Sequence, residues 1–557
     1  MYHIKQAVSV ALLGILLTGM VILLPACTIP EPLANGQDAT LIEPSEDAAT
    51  ATGLPKTANP SPPTAASPTP NETATVTTEP KSDEAQTAAV QPVFLIPPFD
   101  RSPYVDGLVE DSREVLREMP GAPVYHIAIN IDKALTQVSG RQTVYFTNRG
   151  DAGLDEVYFH LHPNQLDGSI AVMEVFVEGN PVTAAMMEND TALRVPLGKT
   201  LQPGQHTVID MAFETTVPVE IGRNYGVLAY YGDILALAHF YPMLSVRDAT
   251  GWNTTPADLQ GDLTYSDAAF YLVEVTAPRN LTLVAAGDEI ARSESGDRQT
   301  VRFAAGPARD FFLAASEDYT VISSTIGETT INSYAPSDLQ DGAEYALHVA
   351  TAAMESFSQW LGTYPYTELD IVTTPTSALG IEYPGIIVGT VNMYDLAAST
   401  TDFPVAAILE STTAHEVAHQ WFYNVVGNDQ LDEPWLDEAL ATYLTYRYFL
   451  DQHGEGGGDS YFSTLEGRWD RANREAIPIG QPVAAYIGSE YGSIVYGRGA
   501  VFIRELEETL GRETFDAFLR DYVAQFSWDI ATATAFRELA ETHCDCDLGP
   551  LWAEWVD

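Results

Sequence analysis

The order of apolar and polar positions divides this chain into stretches of different period. Residues 125–132, Tyr-His-Ile-Ala-Ile-Asn-Ile-Asp, alternate, as do 142–147, 156–161 and 207–213. A period of two sends one face of each strand into a core and the other outward. Gly140, Asn148, Gly150 and Gly204 punctuate these runs as turns. Further strand-like runs fall at 270–275, 281–285 and 300–304. The pattern predicts an N-terminal antiparallel β-sandwich or saddle over residues 92–318, with a helical lead-in around 112–118.

Near Tyr319 the period changes. Residues 339–361, 499–510 and 514–526 read as helices, and 369–373 as a strand. Pro404 and Gly427 bracket a run free of Pro and Gly, which predicts a helix between them. Asp432 as N-cap and Pro434 in the first turn open another, predicted to end at Gly454. The expectation is a multidomain α+β chain whose second domain, 319–557, is mainly helical with a small sheet.

The N-terminal segment is a targeting signal by pattern. Lys5 precedes an apolar run from Ala7 to Leu24, which ends in Leu24-Pro25-Ala26-Cys27. That ending resembles a bacterial lipoprotein cleavage box, with Cys27 as the lipidated residue. Residues 1–27 are therefore expected to be a signal peptide. The mature chain is expected to be anchored to a membrane outside the cytoplasm, at the cell surface or in the periplasm. An uncleaved signal anchor is the alternative, because the apolar run approaches the length of a membrane span. Residues 28–91 are rich in Pro, Thr, Ala and Ser and hold almost no aromatics. Such a segment buries too little apolar surface to order itself, and it is expected to be a spacer with a mean span on the order of 45 Å.

Charge narrows the function classes. The chain has 27 basic and 77 acidic residues, a formal net charge of −50, and no lysine after Lys199. This excludes nucleic-acid binding, which needs a basic face, and adhesion of the folded surface to anionic lipid. No protein partner is identifiable from the residues. Besides Cys27 the chain holds only Cys544 and Cys546, expected to stay as thiols because closure at that spacing is strained.

The chemistry lies in His415-Glu416-Val417-Ala418-His419 and in Glu438, nineteen residues past the second histidine. Histidines at i and i+4 stack on one helix face. Glu438 joins them from the next predicted helix. Two imidazoles and a carboxylate suit a single Zn2+ per chain and leave a coordination position open, as in catalytic rather than structural zinc sites. Glu416, between the histidines, is placed to act as general base on water at that position.

These residues resemble the gluzincin metallopeptidases, specifically the aminopeptidase N and leukotriene hydrolase family. His415 to Phe422 and Glu433 to Ala439 match that family's zinc signature at its own spacing, with Ala439 where glycine is usual. Tyr491-Gly-Ser-Ile-Val-Tyr496 is similar to the family's tyrosine segment, which implies that Tyr496 stabilises the oxyanion. Leu379-Gly380-Ile381-Glu382-Tyr383-Pro384-Gly385 resembles its exopeptidase motif. By that resemblance Gly380 and Glu382 bind substrate, Glu382 gripping the free α-amine; Leu379, Ile381 and Tyr383 depart from the commoner residues. Segments 238–243, 251–252 and 357–365 also resemble the family, and overall the likeness covers roughly 124–557.

The resemblance implies a thermolysin-like catalytic domain and a zinc aminopeptidase acting on peptides. The second amine-binding acid that the family draws from its first domain is not located. Larger relatives continue into a helical domain that roofs the site, so a more open cleft is expected without it. A zinc endopeptidase or other hydrolase with no need for a free amine, and a non-catalytic envelope lipoprotein, are the alternatives.

Overall fold

The computed structural model describes residues 93–557 apart from 95, 401 and 402. The expected signal peptide with Cys27 and the spacer lie outside the described residues. No helix among the described residues is long and apolar enough to cross a membrane.

The alternating segments form an N-terminal β domain. Its largest sheet has eight strands in the order 288–295, 298–308, 269–278, 124–131, 137–147, 206–216, 169–177 and 180–181. All neighbours are antiparallel except Val124–Ile131 and Ala269–Pro278, which run parallel, so the expected antiparallel sheet carries one parallel pair. Two four-stranded sheets and a two-stranded one, Arg247–Asp248 with Gly251–Trp252, complete the domain. Ile127, Val144, Ile209, Phe213 and Val273 fill its core, as the period of two requires. The helical lead-in shrinks to one short turn, Val115–Glu118.

A five-stranded sheet follows, in the order 319–326, 329–336, 368–374, 386–390 and 380–381. Its two faces serve two cores. Leu369, Ile371 and Ile387 pack among the helices, whereas Val372, Ile386 and Val388 pack into the β domain. Successive side chains point to opposite faces, so one sheet joins both cores. The edge strand Gly380–Ile381 pairs with Ile386–Thr390 and leads directly into Glu382.

Seven helices follow: α1 Gln340–Leu361, α2 Val405–Ala418, α3 Trp435–Asp470, α4 Gly499–Leu510, α5 Arg512–Phe526, α6 Ala533–Cys544 and α7 Gly549–Trp555. Two expectations need correction. First, α2 stops at Ala418 instead of reaching Gly427. Beyond it the backbone turns, Tyr423 takes a φ of 106°, and the carbonyls of Tyr423, Asn424 and Val425 accept hydrogen bonds from the buried guanidinium of Arg309. Those contacts replace the helical ladder. Gly427 is the residue against which that guanidinium packs, with no room for a β-carbon.

The expected end at Gly454 holds: the backbone leaves the helical conformation there (φ 70°, ψ −172°), and α3 is two helices meeting at that break, with Phe449 and Tyr461 stacked 4.6 Å apart on either side of it. Second, Cys544 and Cys546 form a disulfide. Asp545 between them adopts a left-handed conformation at the end of α6, which brings the two Cα atoms to 5.1 Å, an ordinary span for the bond.

Candidate active site

The helices that carry the predicted ligands are held on nearly every side. In α2, Leu409, Thr413, Ala414, Val417 and Ala418 are buried, and every residue of α3 from Trp435 to Tyr448 is buried. Helices wrapped this way have little freedom to move their side chains. His415 lies in the last turn of α2, His419 caps its C-terminal end, and Glu438 lies in the first turn of α3.

The three side chains converge. His415 Nε2 lies 3.1 Å from Glu438 Oε2, His419 Nε2 3.1 Å from His415 Nε2, and His419 Nε2 3.4 Å from Glu438 Oε2. Donors about 2.0–2.1 Å from one tetrahedral ion would stand about 3.3 Å apart, so this donor set fits zinc in both chemistry and spacing. His419 Nδ1 donates to the Phe422 carbonyl at 2.9 Å, which fixes the tautomer that turns the Nε2 lone pair toward the other donors. The turn after α2, clamped by Arg309, places that carbonyl.

Glu416 is buried, and its Oε2 has no hydrogen-bond partner. Its other oxygen packs against Gly380, where a side chain would collide with it. Carboxylate oxygens of Glu382 and Glu416 and a ring nitrogen of His419 all lie within 4.8 Å of one another. The exopeptidase-like segment thus sits beside the zinc signature, and the glycine predicted to touch substrate touches the predicted base. Tyr496 lies in a π-helical turn, Gly492–Arg498, and its phenol donates to Glu438 Oε1, the oxygen turned from the histidines. The Tyr491 ring stands edge-on to it at 5.7 Å.

The β domain contributes residues that sequence reasoning missed. Asp262 faces the site: burial and the charges of Glu382, Glu438 and Asp437 push its carboxyl well above the ordinary range. It lies in a stretch with no periodicity to mark it. Gln430 donates to Glu382 Oε1 at 3.1 Å and to Asp437 Oδ2 at 2.7 Å, and its own carbonyl accepts from Thr264 at 3.0 Å. Tyr423 approaches the Thr264 hydroxyl at 3.3 Å and donates to Asp310, which also meets His239 at 3.3 Å. One polar network therefore runs from the β domain to the carboxylate predicted to grip the amine.

The electrostatics have a common cause. Burial, then the charge of Glu382, raises Glu416. Burial raises Glu382 as well, and burial with the charge of Glu438 pushes Asp437 up to about 7. Burial also acts to raise Glu438, but hydrogen bonds from His415 and His419 outweigh it and hold this carboxyl far below its ordinary value. Five acids crowd one pocket, a costly arrangement unless cations enter it. A divalent metal and a substrate ammonium are cations of the required sign.

A histidine pair and a glutamate from consecutive helices, with a buried carboxylate beside them, define the zinc-metallopeptidase class of site. Residues 345–555 match the Peptidase family M1 domain. The chain is 29% identical over 301 residues to Aminopeptidase M1-B of Oryza sativa subsp. japonica, a match that covers 52% of this chain and 34% of the relative. It is 25% identical over 275 residues to Probable aminopeptidase 2 of Sulfurisphaera tokodaii, covering 47% of this chain and 35% of the relative. The matches thus span about a third of these relatives' length. In fold it is similar to the crystal structure of the M1 zinc metallopeptidase from Deinococcus radiodurans, with a TM-score of 0.58 at 19% identity over 78% of this chain and 93% of the other.

Proposed function

We propose that this protein is a zinc-dependent aminopeptidase that removes N-terminal residues from peptides. The observation that carries the reading is the meeting of Glu382, Glu416 and His419 within 4.8 Å beside the His415–His419–Glu438 cluster. An amine-binding carboxylate so close to a hydrolytic centre leaves room for the first residue of a chain and little before it.

A zinc ion held by His415, His419 and Glu438 supplies Lewis acidity, which polarises the scissile carbonyl and makes water easier to deprotonate. Glu416 accepts the water's proton on its unpartnered Oε2 and later delivers it to the leaving amine. The Tyr496 phenol, neutral near pH 7, donates to the carbonyl oxygen as negative charge gathers there. Glu382, oriented by Gln430, and Asp262 hold the α-ammonium by charge-assisted hydrogen bonds. The Leu24–Cys27 box, the apolar run and Lys5 support export and a lipid tether through Cys27, which would place the activity outside the cytoplasm.

Cleavage of matched free and N-acetylated peptides, with Glu416→Gln as control, tests the reading. Cleavage confined to free amines and lost in the variant is expected; equal cleavage of both peptides would remove the aminopeptidase assignment.

A further inference from the structure

The charges around the donor cluster have a direction. Glu382 stands on the His419 side, with a carboxylate oxygen within 4.8 Å of a ring nitrogen of His419. On the His415 side the Tyr496 ring lies 6.0 Å from the His415 ring, and the Arg468 guanidinium lies 5.7 Å from the Tyr496 centroid. Arg468 is half-buried, in the last turn of α3.

Among the described residues no carboxylate pairs with it. The nearby acids on its own helix, Glu466 and Asp470, pair with Arg474 instead. The chain carries a net charge of −50, yet none of its described acids forms an ion pair with this half-buried guanidinium. Its place is also fixed: a β-carbon at Gly497, next to Tyr496, would come within 2.9 Å of the Arg468 Cβ and of the Trp469 nitrogen. The tyrosine turn and α3 are thus packed backbone to side chain at this point.

A peptide whose ammonium rests at Glu382 and Asp262 and whose first carbonyl lies over the donor cluster must continue toward His415 and Arg468. We propose that Arg468 binds a carboxylate on the leaving-group side of the scissile bond. This subsite makes the enzyme selective for short peptides whose own C-terminal carboxylate reaches the guanidinium, or for peptides with an acidic side chain just past the bond. The inference rests on the aminopeptidase reading above and deepens it. Guanidinium suits the task, since it presents paired donors to a carboxylate and stays charged at any working pH.

The test is kcat/KM of the zinc-loaded, full-length protein for two pairs: Ala-Ala against its C-terminal amide, and Ala-Asp-amide against Ala-Asn-amide. The expected result is a preference of about tenfold or more for the carboxylate member of at least one pair, as a charged hydrogen bond provides. The pair that shows it identifies which carboxylate is read. Arg468→Met should bring that ratio close to one at unchanged zinc content, and Arg468→Lys should keep part of it. Ratios near one for both pairs in the unmodified protein would overturn the inference, as would an Arg468→Met variant that loses the same factor on both members of a pair. Failure of the zinc-loaded protein to cleave any of the four would overturn the aminopeptidase reading, and this inference with it.

Discussion

Gly380 and Glu416 are packed so closely that a β-carbon on the glycine would overlap the carboxylate Oε1. The edge strand of the five-stranded sheet therefore sets where the proposed general base can stand. Gly380→Ala should push the carboxylate aside and lower kcat about 10- to 100-fold, the range that small misplacements of a catalytic group cost. Zinc content should be unchanged, because His415, His419 and Glu438 do not touch the glycine's free face. Metal analysis alongside steady-state kinetics checks this; full activity in the variant would show that the contact has no role.

Glu382 and Asp262 come from different domains and repel each other across one pocket. If both hold the substrate ammonium, Glu382→Ala and Asp262→Asn should each raise KM for free-amine peptides about tenfold or more. N-acetylated peptides, already poor substrates, should not become worse. An equal loss on both kinds of substrate would assign the two acids to structure rather than recognition.

Arg309 is buried and donates to the carbonyls of Ser266, Tyr423, Asn424, Val425 and Asp529. Arg309→Met leaves these acceptors unsatisfied and frees the turn that places Phe422 against His419. The variant should lose about 3 kcal/mol or more of unfolding stability. It should also bind zinc more weakly, as followed by denaturant titration and by competition with a chelator. Weaker zinc binding without destabilisation, or the reverse, would separate the two effects assigned to this residue.

Away from the metal centre, burial pushes Asp288 up to about 6 and Glu368 up to about 7, each aided by a neighbouring acid. A carboxyl whose folded value is raised holds its proton more tightly in the native state. Stability is then fully present below the ordinary carboxyl value and is lost as pH rises through 6 and 7. Glu368→Gln should stabilise the protein by about 1–2 kcal/mol at pH 8 and by little at pH 4. Thermal unfolding at the two pH values measures this, and an equal effect at both would contradict it.

How much of this was legible in the sequence follows from how far each feature depends on local pattern. The convergence of His415, His419 and Glu438 was, because an i, i+4 pair and a following helix are short-range features that spacing specifies. Helix α1 and the strand around Val144 were readable from periodicity for the same reason. The end of α2 was not: it is set by Arg309, a side chain from the β domain that captures carbonyls a helix would otherwise use. Asp262 and Gln430 were invisible, since nothing in an aperiodic stretch marks a residue that becomes important only when two domains meet. The break at Gly454 was legible because glycine readily takes the positive φ that ends a helical run, and packing of Phe449 on Tyr461 holds the next helix against the first. Cys544 and Cys546 were misjudged because closure depends on the left-handed turn at Asp545.

Anomalous diffraction at the zinc edge from crystals of the purified protein tests the central claim most directly. One zinc ion about 2.0–2.2 Å from His415 Nε2, His419 Nε2 and a Glu438 oxygen is the expected result. A fully active protein with no ion between these three side chains, or with its zinc held elsewhere, would contradict it.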